Sequence, residues 1–297
     1  MRSLLFVPAD SERKLEKAVS SGADCLILDL EDSVLPQAKQ KAREQAASFL
    51  ARPVAEGQSP RLYVRVNGLD SGLTSADLDA VMPSRPHGIL LPKCRKGASI
   101  QHLGALLAVK EAEHDLAGGT TRIAAIVTET AASIFTMGTY ARASARLEWL
   151  TWGAEDLAAC LGADSNRDAG GLYTFPYMLA RSLTLFAAAS AGALAIDTVY
   201  KGFRDLAALR RECELAKRDG FAGKMAIHPA QIEIINEIFT PSQDSIAKAR
   251  AIVAAFEAEP ETGVIGSEGE MLDLPHLKKA RRLLANVRER DAGSGVR

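Results

Sequence analysis

The chain has 297 residues, and its 36 lysine and arginine side chains nearly balance its 37 aspartate and glutamate side chains. Without an excess of either charge, the composition gives no reason to expect nucleic acid or an anionic membrane as the main partner. No apolar run approaches the roughly 18 residues that a membrane-spanning helix requires, and the short apolar start does not fit a secretory leader. The four cysteines stand far apart, which excludes a C-x-x-C zinc or redox motif. We therefore expect a globular protein of the cytoplasm.

Eight short apolar runs recur along the chain, and each precedes a polar residue or a turn. Most of these runs are continuous rather than alternating, which is typical of parallel strands that are covered on both faces. The predicted strands span residues 3–7, 25–30, 62–66, 88–91, 123–127, 147–152, 193–199 and 224–227.

Amphipathic stretches lie between these runs and predict helices. They span residues 12–20, 37–50, 74–81, 100–116, 175–191, 203–217 and 230–239. Strands that alternate with helices indicate βαβ units and a parallel sheet. Eight such units predict an α/β fold, a (β/α)8 or TIM barrel, which takes roughly 250 residues. We assign the barrel to residues 1–240.

The pattern changes after residue 240. Residues 242–257 predict a helix with Ser242 as its N-cap, residues 259–269 predict a flexible glycine-rich loop, and residues 273–287 predict a last helix. This extension, over residues 241–297, exceeds what a barrel needs. We expect it to form a helical lid that contacts a neighbouring subunit.

Charged or polar side chains follow nearly every predicted strand. Because the catalytic groups of such a barrel lie at the carboxyl ends of its strands, we expect these side chains to converge on one face. In chain order they are Asp29, Glu31, Asp32, Arg65, Asn67, Lys93, Glu129, Glu155, Asp156, Asp197 and His228.

The types of these residues indicate a metal-dependent reaction at a carbonyl group. Several carboxylates without a cysteine or histidine cluster favour Mg²⁺ or Mn²⁺ over zinc. Such an ion can bind an α-keto acid and polarise its carbonyl. Arg65 offers a planar positive fork for a carboxylate or an enolate oxygen. Gly153 and Ala154 begin a helix whose N–H groups can hold a substrate carboxylate.

Eight short strings occur in order, each at a predicted strand: RSLLFVPA, LDLEDSV, YVRVNG, ILLPK, IVTET, WGAEDLAACLGA, AIDTVY and GKMAIHPAQI. Together they resemble the citrate lyase β-subunit-like (CitE-like) branch of the HpcH/HpaI aldolase superfamily, which includes malyl-CoA and citramalyl-CoA lyases. The resemblance extends from Arg2 to about Leu284. It implies a (β/α)8 barrel, bound Mg²⁺ and a homo-oligomer, either a trimer or a hexamer.

By this resemblance the metal carboxylates are Glu129 in IVTET and Asp156 in GAEDL, and the substrate-binding arginine is Arg65 in RVNG. The acidic string after the second strand places Glu31 and Asp32 beside the metal and the substrate. The resemblance implies that this string, which includes Asp29, orders metal-bound water or positions Arg65 through an ion pair. Asp29 also fits a simple strand cap.

In the CoA-using members of the family, a C-terminal segment covers a neighbouring subunit's site and brings an aspartate into it. The string MLDLPHLKKA matches that segment and puts the aspartate at Asp273. The resemblance thus implies that Asp273 transfers a proton. The alternative is a purely structural role as the N-cap of the last helix. His228 fits a turn better than catalysis, and Lys93 and Asp197 fit an ion pair as well as a functional role.

The leading hypothesis is a Mg²⁺-dependent lyase that cleaves a β-hydroxyacyl-CoA of the malyl-CoA or citramalyl-CoA type. Its products are an acyl-CoA and a 2-oxo acid, and coenzyme A is part of the substrate. Three alternatives remain open. They are a citrate lyase β subunit acting on an acyl-carrier-protein thioester, a free 2-oxo acid aldolase, and a non-catalytic CoA-binding regulator.

Overall fold

Eight parallel strands close into a barrel in the computed structural model, which describes residues 1–52, 60–267 and 270–293. Each strand pairs with the next along the chain, and the first also pairs with the eighth. The strands are β1 (Ser3–Pro8), β2 (Cys25–Asp29), β3 (Arg61–Arg65), β4 (Gly88–Leu91), β5 (Arg122–Ile126), β6 (Leu147–Thr151), β7 (Leu194–Asp197) and β8 (Gly223–Ala226). The predicted (β/α)8 barrel is confirmed, and every strand begins within one residue of its predicted start.

Helices surround the barrel and follow its strands. They are α1 (Glu12–Val19), α2 (Lys39–Leu50), α3 (Thr74–Val81), α4 (Gly97–Glu113), α5 (Ala131–Ile134), α6 (Ala154–Leu161), α7 (Phe175–Ala191), α8 (Leu206–Asp219) and α9 (Ile232–Phe239). Helix α8 begins later than predicted because Asp205 caps it, accepting the backbone N–H of Ala208. No helix in the described part of the chain has the length and apolar composition that crossing a membrane requires.

Two apolar layers explain why the strand sequences are continuous rather than alternating. Successive side chains of a strand point to opposite faces, so a strand buried on both faces needs apolar residues throughout. One set fills the inside of the barrel and includes Leu4, Ile27, Tyr63, Leu90, Ile126, Trp149, Ile196 and Met225. The alternate set packs against the helices and includes Leu5, Leu26, Val64, Ile89, Ala125, Leu150, Ala195 and Ala226.

Strand register brings the first charged pair of the candidate site together. Asp29 and Arg65 are the last residues of β2 and β3, and they are direct partners in the parallel ladder. Their side chains therefore meet at the carboxyl end of the barrel although 36 positions separate them.

A buried ion pair lies in the layer between the strands and the helices. The ammonium of Lys224, on β8, donates to Asp197 of β7 at 2.8 Å and lies 3.3 Å from Glu212 of α8. The indole N–H of Trp152 also donates to Asp197, at 2.8 Å. Burial acts to raise the pKa of Asp197, but the charges of Lys224 and Arg181 outweigh it and hold that pKa below its ordinary value. These contacts give Asp197 a structural role.

Residues Thr240–Arg297 belong to a second compact unit. Within it, α10 (Gln243–Ala258) begins after Ser242, whose hydroxyl accepts the backbone N–H of Ser245 at 3.2 Å. A hairpin of β9 (Val264–Ser267) and β10 (Glu270–Asp273) leads into α11 (Leu274–Gly293).

The hairpin corrects the prediction of a flexible loop over residues 259–269. Ile265 and Leu272 are cross-strand partners, and both are buried with Phe256 and Leu277. Two short strands with one buried apolar side chain each gain stability by packing on neighbouring helices. One buried residue in each strand leaves no periodic pattern in the sequence.

We expect Asp197→Asn to lower the free energy of unfolding by about 3 kcal/mol, because the fully buried Lys224 ammonium loses its main counter-charge. Urea denaturation followed by tryptophan fluorescence measures the change. The matched control is Glu237→Gln, which breaks an exposed ion pair with Arg210 and should change stability little. Equal effects of the two substitutions would contradict a structural role for the buried pair.

Candidate active site

Five consecutive strands deliver charged side chains to the same end of the barrel. Contacts between these side chains join the loops after β2, β3, β4 and β5, and the charge of a residue in α6 acts on the same group. The residues are Asp29, Glu31, Asp32, Arg65, Lys93, Glu129 and Asp156. Asp273, in contrast, belongs to the second compact unit.

Glu129 follows β5 and is only 4% exposed. The backbone N–H of Lys93 donates to its Oε2 atom. The Glu129 side chain lies against Gly153, where an added Cβ would stand 2.7 Å from the Glu129 Cγ atom. Burial and, second, the charge of Asp156 raise the pKa of Glu129 to about 8. Two carboxylates that repel each other in a buried setting favour a bound cation.

Asp156 lies in the first turn of α6, where the partial positive charge of a helix start favours a carboxylate. The N-cap of this helix is Gly153. Its N–H donates to the hydroxyl of Thr128 at 3.0 Å and is therefore occupied. The sequence suggested that N–H groups at this helix start hold a substrate carboxylate, and that role stays a prediction. At Gly153 the structure shows close packing against Glu129 in addition to the hydrogen bond with Thr128.

Arg65 is held in one orientation by two carboxylates. Its Nε and Nη2 atoms donate to the two oxygens of Asp29 at 2.7 and 2.6 Å, and its Nη1 atom lies 3.1 Å from Glu31. Its guanidinium carbon also lies 4.8 Å from the ring centre of Phe6. The hydrogen bonds to Asp29 use two of the five N–H groups of the guanidinium, whereas the 3.1 Å contact with Glu31 is an ion pair without a hydrogen bond.

Asp29 therefore does more than cap a strand. It accepts the backbone N–H groups of Glu31 and Ser33 at 2.9 and 3.3 Å, as a cap does, and it also binds Arg65. Burial acts to raise the pKa of Asp29, but the charge and hydrogen bonds of Arg65 hold it below its ordinary value. The carboxylate thus stays ionised and keeps Arg65 in place.

The other two acidic residues of this string contact Lys93. Its ammonium donates to Glu31 and lies 3.2 and 3.3 Å from the two oxygens of Asp32. Burial raises the pKa of Glu31 above its ordinary value, against the opposing charges of Arg65 and Lys93. Glu31 and Asp32 are thus both paired with the ammonium of Lys93, and the charge of Glu31 also acts on Glu129. Their role beside a metal and a substrate stays a prediction.

Lys39 supports the site, although the sequence did not single it out. Its ammonium donates to the carbonyl oxygens of Leu30 and Glu31 at 2.6 and 2.8 Å and to the side-chain oxygen of Asn67 at 2.8 Å. It thereby ties the loop after β2 to the loop after β3. The one signal in the sequence is a lysine at the first position of a helix, where the helix dipole disfavours a positive charge.

A pocket of about 730 Å³ opens beside these groups, between the loops that follow β3 and β4. Glu31, Lys93 and Thr130 line the side toward the site, and Arg95 and Lys96 line the other side. This size is within the range of pockets that hold small-molecule ligands. The site can therefore take a ligand larger than a two- or three-carbon acid.

The pair of Glu129 and Asp156 fits Mg²⁺ or Mn²⁺. Across residues 1–52, 60–267 and 270–293, no group of three or more histidine, cysteine, aspartate or glutamate residues is arranged to hold a metal. Two carboxylates are nevertheless what Mg²⁺ commonly takes from a protein, since it completes its shell with water and substrate oxygens. The raised pKa of Glu129 reflects burial and repulsion from Asp156, which a divalent cation relieves. A closed structural zinc site needs four ligands and does not fit.

In the second unit, Asp273 pairs with His276. The Asp273 carboxylate lies 2.5 Å from Nδ1 of His276 and accepts its backbone N–H at 3.4 Å, as the cap of α11 would. Its hydrogen bond with His276 lowers the pKa of Asp273 below its ordinary value. Capping and proton transfer are therefore compatible, because nearly half of this side chain is exposed.

His228 stabilises a turn through its side chain. Its Nδ1 atom accepts the backbone N–H of Ala230 at 3.1 Å, and its ring stacks on Phe203 with 4.7 Å between the ring centres. These contacts agree with the turn that the His-Pro sequence predicted.

Comparison with known proteins gives a consistent result. Residues 2–229 match the HpcH/HpaI aldolase/citrate lyase family. The (3S)-malyl-CoA thioesterase of Cereibacter sphaeroides is 36% identical over 288 residues, covering 96% of this chain and 94% of that protein. The mitochondrial citramalyl-CoA lyase of Rattus norvegicus is 32% identical over 299 residues, covering 95% of this chain and 85% of that protein.

A solved structure is also similar over nearly the full length. The CitE protein of Mycobacterium tuberculosis, crystallised with magnesium, acetoacetate and coenzyme A, matches with a TM-score of 0.74 and 30% sequence identity. The match covers 99% of this chain and 98% of that chain. The family resemblance found in the sequence is thereby confirmed.

The pKa of Glu129 predicts a pH dependence of stability in the metal-free protein. The folded state keeps the Glu129 proton up to about pH 8, whereas the unfolded chain loses it near 4.5. The free energy of unfolding should therefore fall as the pH rises through that interval. Glu129→Gln removes this loss. We expect the variant to melt at a higher temperature than the wild type at about pH 8.5 in EDTA, and at a similar temperature at about pH 5.

Differential scanning calorimetry at the two pH values measures this effect. Glu233→Gln, an exposed residue in the first turn of α9, serves as the control for loss of one negative charge. If Glu129→Gln and the control show the same pH dependence as the wild type, the raised pKa of Glu129 is contradicted.

Proposed function

The chain belongs to the HpcH/HpaI aldolase/citrate lyase family, and we propose that it is a Mg²⁺-dependent lyase for a β-hydroxyacyl-CoA of the malyl-CoA or citramalyl-CoA type. Membership of the family confirms the predicted lyase. The products of cleavage are an acyl-CoA and a 2-oxo acid, and condensation is the same step reversed. The observation that carries the proposal is the buried carboxyl of Glu129, on which the charges of Asp156 and of a firmly held Arg65 both act.

Each residue has a defined task in this reaction. Glu129 and Asp156 hold the cation, which when bound polarises the carbonyl of the oxo acid. Arg65 uses N–H groups that Asp29 does not occupy to stabilise the thioester oxygen, where negative charge develops as the carbon–carbon bond breaks. The helix start at Ala154 binds the carboxylate of the oxo acid.

Proton transfer completes the reaction. In cleavage the β-hydroxyl loses its proton as it becomes a carbonyl, and the α-carbon of the acyl thioester gains one. We assign a proton-transfer role to Asp273, supplied by a neighbouring copy of the chain in a trimer or hexamer. The hydrogen bond from His276 keeps Asp273 ionised and suited to accept a proton.

Coenzyme A as part of the substrate is supported by two similar proteins. The CitE protein of Mycobacterium tuberculosis was crystallised with coenzyme A and magnesium, and the rat relative is a citramalyl-CoA lyase. The pocket of about 730 Å³ beside Lys93 offers room for part of such a ligand. Mn²⁺ suits the same two carboxylates.

We expect Glu129→Gln to lose metal-dependent turnover by at least about a hundredfold while it stays folded, because half of the proposed ligand pair is gone. The assay offers malyl-CoA and citramalyl-CoA with Mg²⁺ or EDTA and follows the oxo acid released. Full activity in the variant contradicts the metal assignment. Cleavage only of acyl-carrier-protein thioesters favours the citrate lyase alternative, and cleavage of hydroxy-keto acids without a thioester favours the free aldolase.

Thioester hydrolysis is a second candidate, favoured by the 36% identity to a (3S)-malyl-CoA thioesterase. In that reaction water attacks the thioester carbonyl, and the products are free coenzyme A and a dicarboxylic acid. An ionised Asp273 is suited to take a proton from this water. The two reactions are separable, because hydrolysis releases a free thiol and cleavage releases an oxo acid.

We expect Asp273→Asn to slow the predominant reaction by about a hundredfold or more, as loss of a general acid or base does, without weakening Mn²⁺ binding. Parallel assays of free thiol and oxo acid show which reaction responds. Glu270→Gln, which removes a carboxylate three positions earlier in the same strand, is the control. An unchanged rate in Asp273→Asn leaves Asp273 with its capping role alone.

A further inference from the structure

Lys93 contacts carboxylates through both its backbone and its side chain. The backbone N–H donates to Oε2 of Glu129. The ammonium donates to Glu31 and lies 3.2 and 3.3 Å from the oxygens of Asp32. Lys93 therefore binds Glu129 through its backbone, and Glu31 and Asp32 through its side chain.

The backbone at Lys93 makes this division possible. Its φ of 50° lies in the left-handed region, which residues with a side chain adopt rarely. The following residue is fixed on both sides, since the N–H of Cys94 donates to Ile126 at 3.1 Å and its carbonyl accepts the hydroxyl of Tyr140 at 3.0 Å. The barrel thus holds an uncommon turn that directs the N–H to Glu129 while the side chain runs to Glu31.

Glu31 has a protein cation at each oxygen. Lys93 binds Oε1, and Nη1 of Arg65 lies 3.1 Å from Oε2. The residue is only 4% exposed, yet its charge still acts on Glu129. A divalent cation held by Glu129 and Asp156 would have this third carboxylate nearby if the ammonium were absent.

We propose that Lys93 determines the ligand set of the metal site and thereby the choice of cation. Its N–H fixes one oxygen of Glu129, and its ammonium keeps Glu31 and Asp32 out of the coordination shell. A shell with two carboxylates suits Mg²⁺, which keeps several waters, whereas added carboxylates suit Ca²⁺, which takes roughly six to eight oxygen ligands. The inference rests on the proposed metal site, and Lys93 is in this sense a positioning residue.

Two substitutions remove the ammonium and keep the backbone N–H. Lys93→Met keeps a long side chain, and Lys93→Gly adopts the left-handed turn without strain. In both we expect Mn²⁺ to bind about tenfold more tightly, because a positive charge close to the cation is lost. Ca²⁺ should compete with Mn²⁺ about tenfold better, and turnover with Mg²⁺ should fall.

Electron paramagnetic resonance of Mn²⁺ and water-proton relaxation, measured on the full chain, provide readouts independent of activity. Relaxation should report fewer waters on Mn²⁺ in both variants, since carboxylates replace them. Adding Glu31→Gln to Lys93→Met should reverse most of the gain in affinity. The matched control is Lys96→Met, which removes an exposed lysine from the same loop and should change Mn²⁺ affinity by less than about twofold.

The outcomes separate this inference from the proposed function. Suppose that the wild type binds Mn²⁺ and Glu129→Gln does not. If both Lys93 variants then keep the Mn²⁺ affinity, the Ca²⁺ competition and the number of bound waters of the wild type, the proposed role of Lys93 is overturned. A wild type without Mn²⁺ binding, or a Glu129→Gln variant that binds equally well, contradicts the proposed function instead. If circular dichroism shows that Lys93→Met is unfolded, the glycine variant decides.

Discussion

The burial of one negative charge, on Glu129, governs the arrangement of the candidate site. A carboxylate that is 4% exposed and repelled by Asp156 is costly unless something compensates its charge. Among the described residues it accepts one hydrogen bond, from the backbone of Lys93, and the charge of Arg65 also acts on it. The remaining deficit is the physical basis of the proposed metal affinity. A site that fully neutralised Glu129 from within would bind a divalent cation weakly.

The uncompensated charge of the candidate site lies apart from the ion pairs that stabilise the fold. Lys224 and Asp197 satisfy each other between the strands and the helices, with Trp152 as a further donor. At the carboxyl ends of the strands, in contrast, charges are left partly compensated or are paired in ways that a ligand can alter. Loops at that end can therefore change in sequence while the buried pair and the two apolar layers keep the barrel closed.

Sequence patterns predicted the barrel because strands buried on both faces require continuous apolar runs. They also located Glu129 and Asp156, since a carboxylate just after a strand is visible in one dimension. An ion pair between Arg65 and the acidic string that begins at Asp29 was an expectation from the sequence, and the structure shows it. The contacts of Lys93 depend on a backbone angle, so they do not follow from local sequence. The sequence did not reveal the hairpin of the second unit, because strands of four residues with one buried side chain each carry almost no periodicity.

Arg65 shows what a fully restrained cation implies for selectivity. With Asp29 on two of its N–H groups, Glu31 as an ion-pair partner and the Phe6 ring 4.8 Å from its central carbon, the guanidinium loses little rotamer entropy when a ligand arrives. It also cannot follow a ligand that is too short or too long. The distance between this fixed charge and the Glu129–Asp156 pair therefore changes little. The site should select ligands whose oxygen atoms are separated by a matching distance.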